Sequence, residues 1–86
     1  MIVIANLKNF TLSHDIIVME DNGEVKTKFH SSMKDIVENI VEQCHMANDN
    51  AKVKLMGNKM FANKISKEIV QLGLAKYSSS IEVEII

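Results

Sequence analysis

Residues 51–73, AKVKLMGNKMFANKISKEIVQLG, change their hydrophobic period in mid-stretch, and that change limits the folds open to this chain. Ala51, Val53 and Leu55 alternate with Lys52, Lys54 and Met56, the two-residue period of a strand with one buried face. Gly57-Asn58 interrupts the alternation, and Asn58 suits a helix N-cap because its side-chain oxygen can accept a first-turn N–H. Phe61, Ala62, Ile65, Ile69 and Leu72 then fall on one stripe of a 3.6-residue helix. Gly73 fits the left-handed position after a helix, with Leu74 as its apolar contact. A strand running straight into a helix implies a crossover to a parallel neighbour, and so an α/β fold.

The rest of the chain fills in around this unit. Ile2-Val3-Ile4-Ala5 is apolar throughout, as a central strand would be. Residues 6–14 lose that character and read as a long loop, in which Phe10 and Leu12 either fold back on the core or form a binding loop. Ile16-Ile17-Val18-Met19 is a second apolar strand, and Asn22-Gly23 predicts a type I′ hairpin turn. In the returning strand, residues 24–30, Val25, Thr27 and Phe29 face one way and Glu24, Lys26, Lys28 and His30 the other. Its charged face suits a sheet edge. Ser32 and Asp35 form a capping-box pattern before Met33, Ile36, Val37, Ile40, Val41 and Cys44, an amphipathic stripe that ends near Ala47. Residues 74–80 read as a connector, and residues 81–86 as a closing strand with Ile81, Val83 and Ile85 on one face.

The order is therefore β-β-β-α-β-α-β in one domain spanning residues 1–86. Right-handed crossovers and a central first strand predict a mixed five-stranded sheet of order 3-2-1-4-5 with both helices on one face, a two-layer α/β sandwich. This succession of elements resembles the core of the ribonuclease H-like fold, as topology, over nearly the whole chain. In the nuclease members of that fold an acidic residue on the first strand binds catalytic metal. The matching stretch here, Ile4-Ala5-Asn6, carries no carboxylate, and neither does Met56-Gly57-Asn58 at the end of the fourth strand. The resemblance implies the sheet order without the metal site.

Composition narrows the function classes. The formal net charge is −1, the chain holds ten basic residues, and all of them are lysines. A near-neutral chain without Arg is a poor candidate for tight nucleic-acid binding, which relies on a basic excess and on bidentate guanidinium contacts. The single cysteine, Cys44, predicts no internal disulfide and a reducing compartment. With no signal-peptide pattern and no run of about 20 apolar residues, a cytoplasmic location away from membranes is expected. Abundant Ile, Lys and Asn with no Arg is a signature of AT-rich coding, which suggests a low-GC bacterium or one of its phages.

No catalytic constellation stands out. His14, His30, His45 and Cys44 lack metal-ligand spacing, so no metal and no cofactor are expected. Ser13-His14-Asp15 holds triad residue types, but sequence neighbours do not form a triad, and His14 is expected to face solvent. Gly57, Asn58 and Lys59 form a possible anion site at a helix N-terminus, although a capped strand-to-helix turn explains the same residues.

The sheet face away from the helices is the best candidate surface. It is expected to gather Lys26, Lys28, His30, Lys52, Lys54, Met56, Glu82 and Glu84 around apolar residues of the two inner strands. A charged rim around an apolar centre points to a non-enzymatic protein-interaction module acting through this face or the sheet edge, alone or as a homodimer. A phage-encoded inhibitor that binds a host enzyme or a CRISPR-type defence complex is an alternative. A weak single-stranded nucleic-acid or phosphate-ligand binder is another.

Overall fold

The computed structural model describes residues 1–7, 13–48 and 51–86. The elements follow the order β1 (Ile2–Leu7), β2 (Ser13–Met19), β3 (Val25–Ser32), α1 (Ile36–Met46), β4 (Lys52–Gly57), α2 (Lys59–Tyr77) and β5 (Glu82–Ile85). They build one five-stranded sheet of order β3-β2-β1-β4-β5, the order expected from the sequence. β1 pairs antiparallel with β2 and parallel with β4, β2 pairs antiparallel with β3, and β4 pairs parallel with β5.

Both helices lie on one face, and the strands alternate accordingly. Val3, Ala5, Leu7, Ile16, Val18, Val53 and Leu55 are buried under Ile36, Ile40, Val41 and Cys44 of α1 and Ala62, Ile65 and Ile69 of α2. The apolar runs of β1 and β2 split the same way. Ile2, Ile4, Ile17 and Met19 fall on the opposite face and are only partly buried.

Several local expectations change. β1 runs to Leu7 and β2 begins at Ser13, so the long connection shortens to residues 8–12, and Phe10 and Leu12 lie outside the described residues. Ladder pairing extends the strands because Asn6 finds Asp15 across from it and Ser13 finds Ser32. The hairpin turn is not type I′, because Asn22 does not take positive φ and Gly23 alone does, at 92°. The Gly23 amide donates to the Glu20 carbonyl at 2.9 Å and the Glu20 amide to the Glu24 carbonyl at 2.8 Å. That is the three-residue loop with a glycine bulge, and the Asn22 side chain completes it by accepting the Glu24 amide at 3.0 Å.

Ser32 and Asp35 do pair, with the Ser32 hydroxyl 3.2 Å from both the amide and the carboxylate of Asp35, but Ser32 still belongs to β3. The helix starts after them at Ile36, and Met33, expected on the core stripe, is exposed in the intervening turn. α2 does not stop at Gly73. It continues to Tyr77 and ends where Ser78 takes a left-handed φ of 53°. Gly73 is instead where β5's approach crosses the helix: a Cβ there would sit 2.6 Å from Ile81 Cδ1.

Candidate interaction face

The register fixes which side chains share the open face. One row across the sheet reads Lys28, Ile17, Ile4, Lys54, Glu84. The next, toward the C-terminal end of β1, reads His30, Asp15, Asn6, Met56. The row on the other side reads Met19, Ile2, Lys52, Glu82. Ile2, Ile4, Ile17 and Met19 thus form an apolar centre, with lysines on one inner strand and glutamates on the β5 edge.

Seven of the eight residues expected on this surface are there: Lys28, His30, Lys52, Lys54, Met56, Glu82 and Glu84. Lys26 is displaced. A register shift at Val18/Met19 pairs Val18 with Thr27 but Met19 with Val25, so one residue of β3 is extra. Lys26 then lines a depression on the helix side with Met1, Val18, Thr27, Gln43, Met46 and Ala47, while its ammonium lies 3.5 Å from Glu20. Val25, expected to face the core, joins Met19 instead and is 44% exposed. A bulge on an edge strand turns the edge away from further pairing, which accounts for its place here.

The polar residues of the face are matched in charge. Lys52 stands beside Glu82 and Lys54 beside Glu84 across the β4–β5 ladder, a favourable arrangement for opposite charges. On the other side, His30 Nδ1 lies 2.7 Å from an Asp15 carboxylate oxygen. A shallow depression of about 320 Å³ opens between β2 and β3, lined by Asp15, Ile16, Ile17, Lys28, Phe29 and His30.

Gly57 and Asn58 of the Gly57–Lys59 turn each have a structural role. Gly57 takes φ +106° within van der Waals range of the β1 backbone, where a Cβ would meet the Leu7 carbonyl oxygen at 2.2 Å. The Asn58 amide donates to that same oxygen at 3.2 Å, and the Asn58 side chain caps α2 by accepting the Phe61 amide at 2.9 Å. Backbone crossing accounts for Gly57 and capping for Asn58, while Lys59 is exposed at the first position of α2.

His14 overturns its expectation. It is fully buried on the helix side of β2, with its ring 5.6 Å from Phe61, because the strand starts early enough to carry it onto the core parity. Asp15, its neighbour, faces the other way, so Ser13, His14 and Asp15 do not converge. Cys44 is buried on the core face of α1. Among the described residues no three His, Cys, Asp or Glu side chains group as metal ligands, and no helix is long and apolar enough to cross a membrane.

A second polar cluster was not legible in the sequence. Tyr77, read there as part of a connector, lies in the last turn of α2 and stacks on His45 of α1. Its hydroxyl donates a hydrogen bond to Glu42 Oε1, which also accepts from the Lys76 ammonium at 2.6 Å. Lys76, and then Tyr77, hold the Glu42 carboxyl below its ordinary value. The same bonds raise Lys76 and raise Tyr77. The cluster fastens the C-terminal ends of the two helices to each other, on the side away from the open sheet face.

No protein-family model matches this sequence, and no curated protein is similar to it.

Proposed function

We propose that this chain is a small non-enzymatic protein-interaction module that binds through the open face of its sheet. The observation that carries the reading is the apolar centre of Ile2, Ile4, Ile17 and Met19, set on the face the helices leave bare and rimmed by Lys28, Lys52, Lys54, Glu82 and Glu84. Burying that centre against a partner removes apolar area from water, at about 25 cal/mol per Å². The rim charges then set orientation and specificity. The rim is also arranged as neighbouring opposite charges and not as groups converging on one point, which favours recognition over catalysis.

A protein fits this face better than a single-stranded nucleic acid does. Base stacking needs exposed aromatic rings, and Phe29 turns its ring toward the core, leaving the His30 imidazole as the face's one ring among the described residues. A single, buried cysteine, Cys44, is in keeping with a cytoplasmic setting.

The test is a pair of substitutions on the face. Met56→Glu and Ile4→Glu are expected to abolish association with protein, whether self or other, while leaving the far-ultraviolet CD spectrum intact. If Met56→Glu unfolds the domain, the face is packed core and the reading fails. If both variants fold and associate like the wild type, the contact lies elsewhere. Binding to single-stranded DNA or RNA is expected to be weaker than about micromolar at roughly 0.15 M salt. Submicromolar binding that Lys28→Glu with Lys54→Glu removes would favour nucleic acid instead.

A further inference from the structure

We infer that the partner on the open face is a second copy of this chain, in a two-fold dimer whose axis runs along β1. The inference rests on the interaction-module reading and adds to it both the occupant and the geometry.

The two edge strands of the face carry opposite charges, Lys28 on β3 and Glu82 and Glu84 on β5. β3 presents Lys28, β2 presents Asp15 against His30 of β3, and β4 presents Lys52 and Lys54 beside Glu82 and Glu84 of β5. β1 lies at the centre, with two strands on either side. With their strands aligned, two copies facing each other are related by a two-fold axis along the strands or by one across them.

An axis along β1 lays β1 on itself, β2 on the second copy's β4, and β3 on its β5. Ile4 then meets Ile4, Asn6 meets Asn6, and the aliphatic stem of Lys54 covers Ile17. Lys28 meets Glu84 at both ends of its row. An axis across the strands lays every strand on its own copy. Lys28 then meets the other Lys28 strand, the β4 lysines meet lysines, and the β5 glutamates meet glutamates. Like charges brought together on desolvation oppose association, so the charge pattern selects the first axis. Packed sheets cross at about 30°, which moves an edge residue by about 5 Å, within the reach of a lysine, and leaves Glu82 as a second acceptor for Lys28.

The size of the face sets the strength. Five strands about 4.8 Å apart and six residues at about 3.3 Å each give roughly 20 by 20 Å, or about 400 Å² in projection. Standard-size interfaces bury about 800 Å² of accessible surface per partner, so a face of this size belongs to the small, weak class of interfaces.

Sedimentation equilibrium of the wild-type chain from about 1 µM to about 1 mM spans that class. The mass is expected to rise from monomer to dimer across it. Lys28→Glu alone and Glu84→Lys alone each set like charges at both ends of the row, and each is expected to weaken self-association at least about tenfold. Mixed in equal amounts, the two variants should form a heterodimer as tight as the wild-type dimer, because both ends again pair opposite charges.

A wild-type chain that stays monomeric throughout overturns the dimer and leaves the interaction face to be judged by its effect on other protein partners. A dimer that Ile4→Glu breaks but the charge reversals do not, or that mixing fails to restore, overturns this axis while keeping the face. A dimer indifferent to Ile4→Glu, with the variant's CD spectrum unchanged, overturns both.

Discussion

The Tyr77 ring lies flat on the His45 imidazole, with centroids 3.7 Å apart and planes 5° from parallel. Tyr77 is on α2 and His45 on α1, so the stack joins the two helices where neither reaches the sheet's open face. Glu42 and Lys76 complete the contact, and the Lys76 ammonium also lies 5.3 Å from the Tyr77 ring centre.

The chain has one tyrosine and no tryptophan, so ultraviolet titration reads Tyr77 alone. The hydrogen bond to Glu42 is the main cause that raises Tyr77 above its ordinary 10.0. Its midpoint is expected above pH 10 in the native protein and closer to 10 in Glu42→Gln. An unshifted midpoint in the wild type would show that the hydroxyl does not bond Glu42 in solution.

The same cluster predicts how stability changes with pH. Glu42 is lowered from 4.5 in the folded chain, so its contribution is present above that value and fades as pH falls through the folded one. Lys76 and Tyr77 are raised from 10.5 and 10.0, so their contributions are present below those values and fade as pH rises through the folded ones. Melting midpoints of Glu42→Gln should therefore converge with those of the wild type at both low and high pH, and differ most near neutrality. A constant difference over the whole range would count against the linkage.

Gly57 and Gly23 both take positive φ but differ in what surrounds them. A Cβ at Gly57 would collide with the Leu7 carbonyl oxygen, whereas one at Gly23 meets open space. Gly23→Ala should cost about 1 kcal/mol, the backbone strain alone. Gly57→Ala should cost more than about 2 kcal/mol, since β4 must move off β1. Chemical denaturation of the two variants tests the order.

Gly73 is helical, so alanine there gains helix propensity but meets Ile81 Cδ1 at 2.6 Å and Cγ1 at 3.0 Å. Gly73→Ala should destabilise the domain by about 1–3 kcal/mol, as overpacking does. Ile81→Val removes the Cδ1 atom, so its cost should be smaller in the Gly73→Ala background than alone. Equal costs in a double-mutant cycle would mean that the helix and the β5 approach are not in contact.

Asn58→Ala should cost about 1 kcal/mol through loss of the N-cap bond to Phe61. Asn58→Asp should be neutral or stabilising, because the first turn of α2 has no acidic residue and the helix N-terminus favours negative charge. Phosphate that raised the wild-type melting midpoint, and failed to raise that of Asn58→Asp, would revive the anion site.

Element type and sheet order were legible because they follow from periodicity, which is a local property. The two-residue alternation of 51–56, the 3.6-residue stripe behind it and the all-apolar 2–5 stretch left one economical way to build the sheet. Most of the open face came with it, since parity along a strand assigns Lys28, Lys52, Lys54, Met56, Glu82 and Glu84 once the core side is known.

Local pattern was therefore enough for the layers and their order, whereas packing in three dimensions set the places where parity or period is broken. Nothing local in residues 24–30 announces the bulge that exchanges Val25 for Lys26, because a bulge is set by how β3 matches β2. His14 became a core residue because pairing with β3 extended β2 by several residues, and burial depends on that partner. Gly73 carries the composition of a helix end, yet the helix continues, because the missing Cβ is needed where Ile81 crosses. That continuation delivers Tyr77 to His45 and Glu42, 32 and 35 residues away in sequence. Contacts of that range are made by packing, and packing is where one-dimensional patterns stop carrying information.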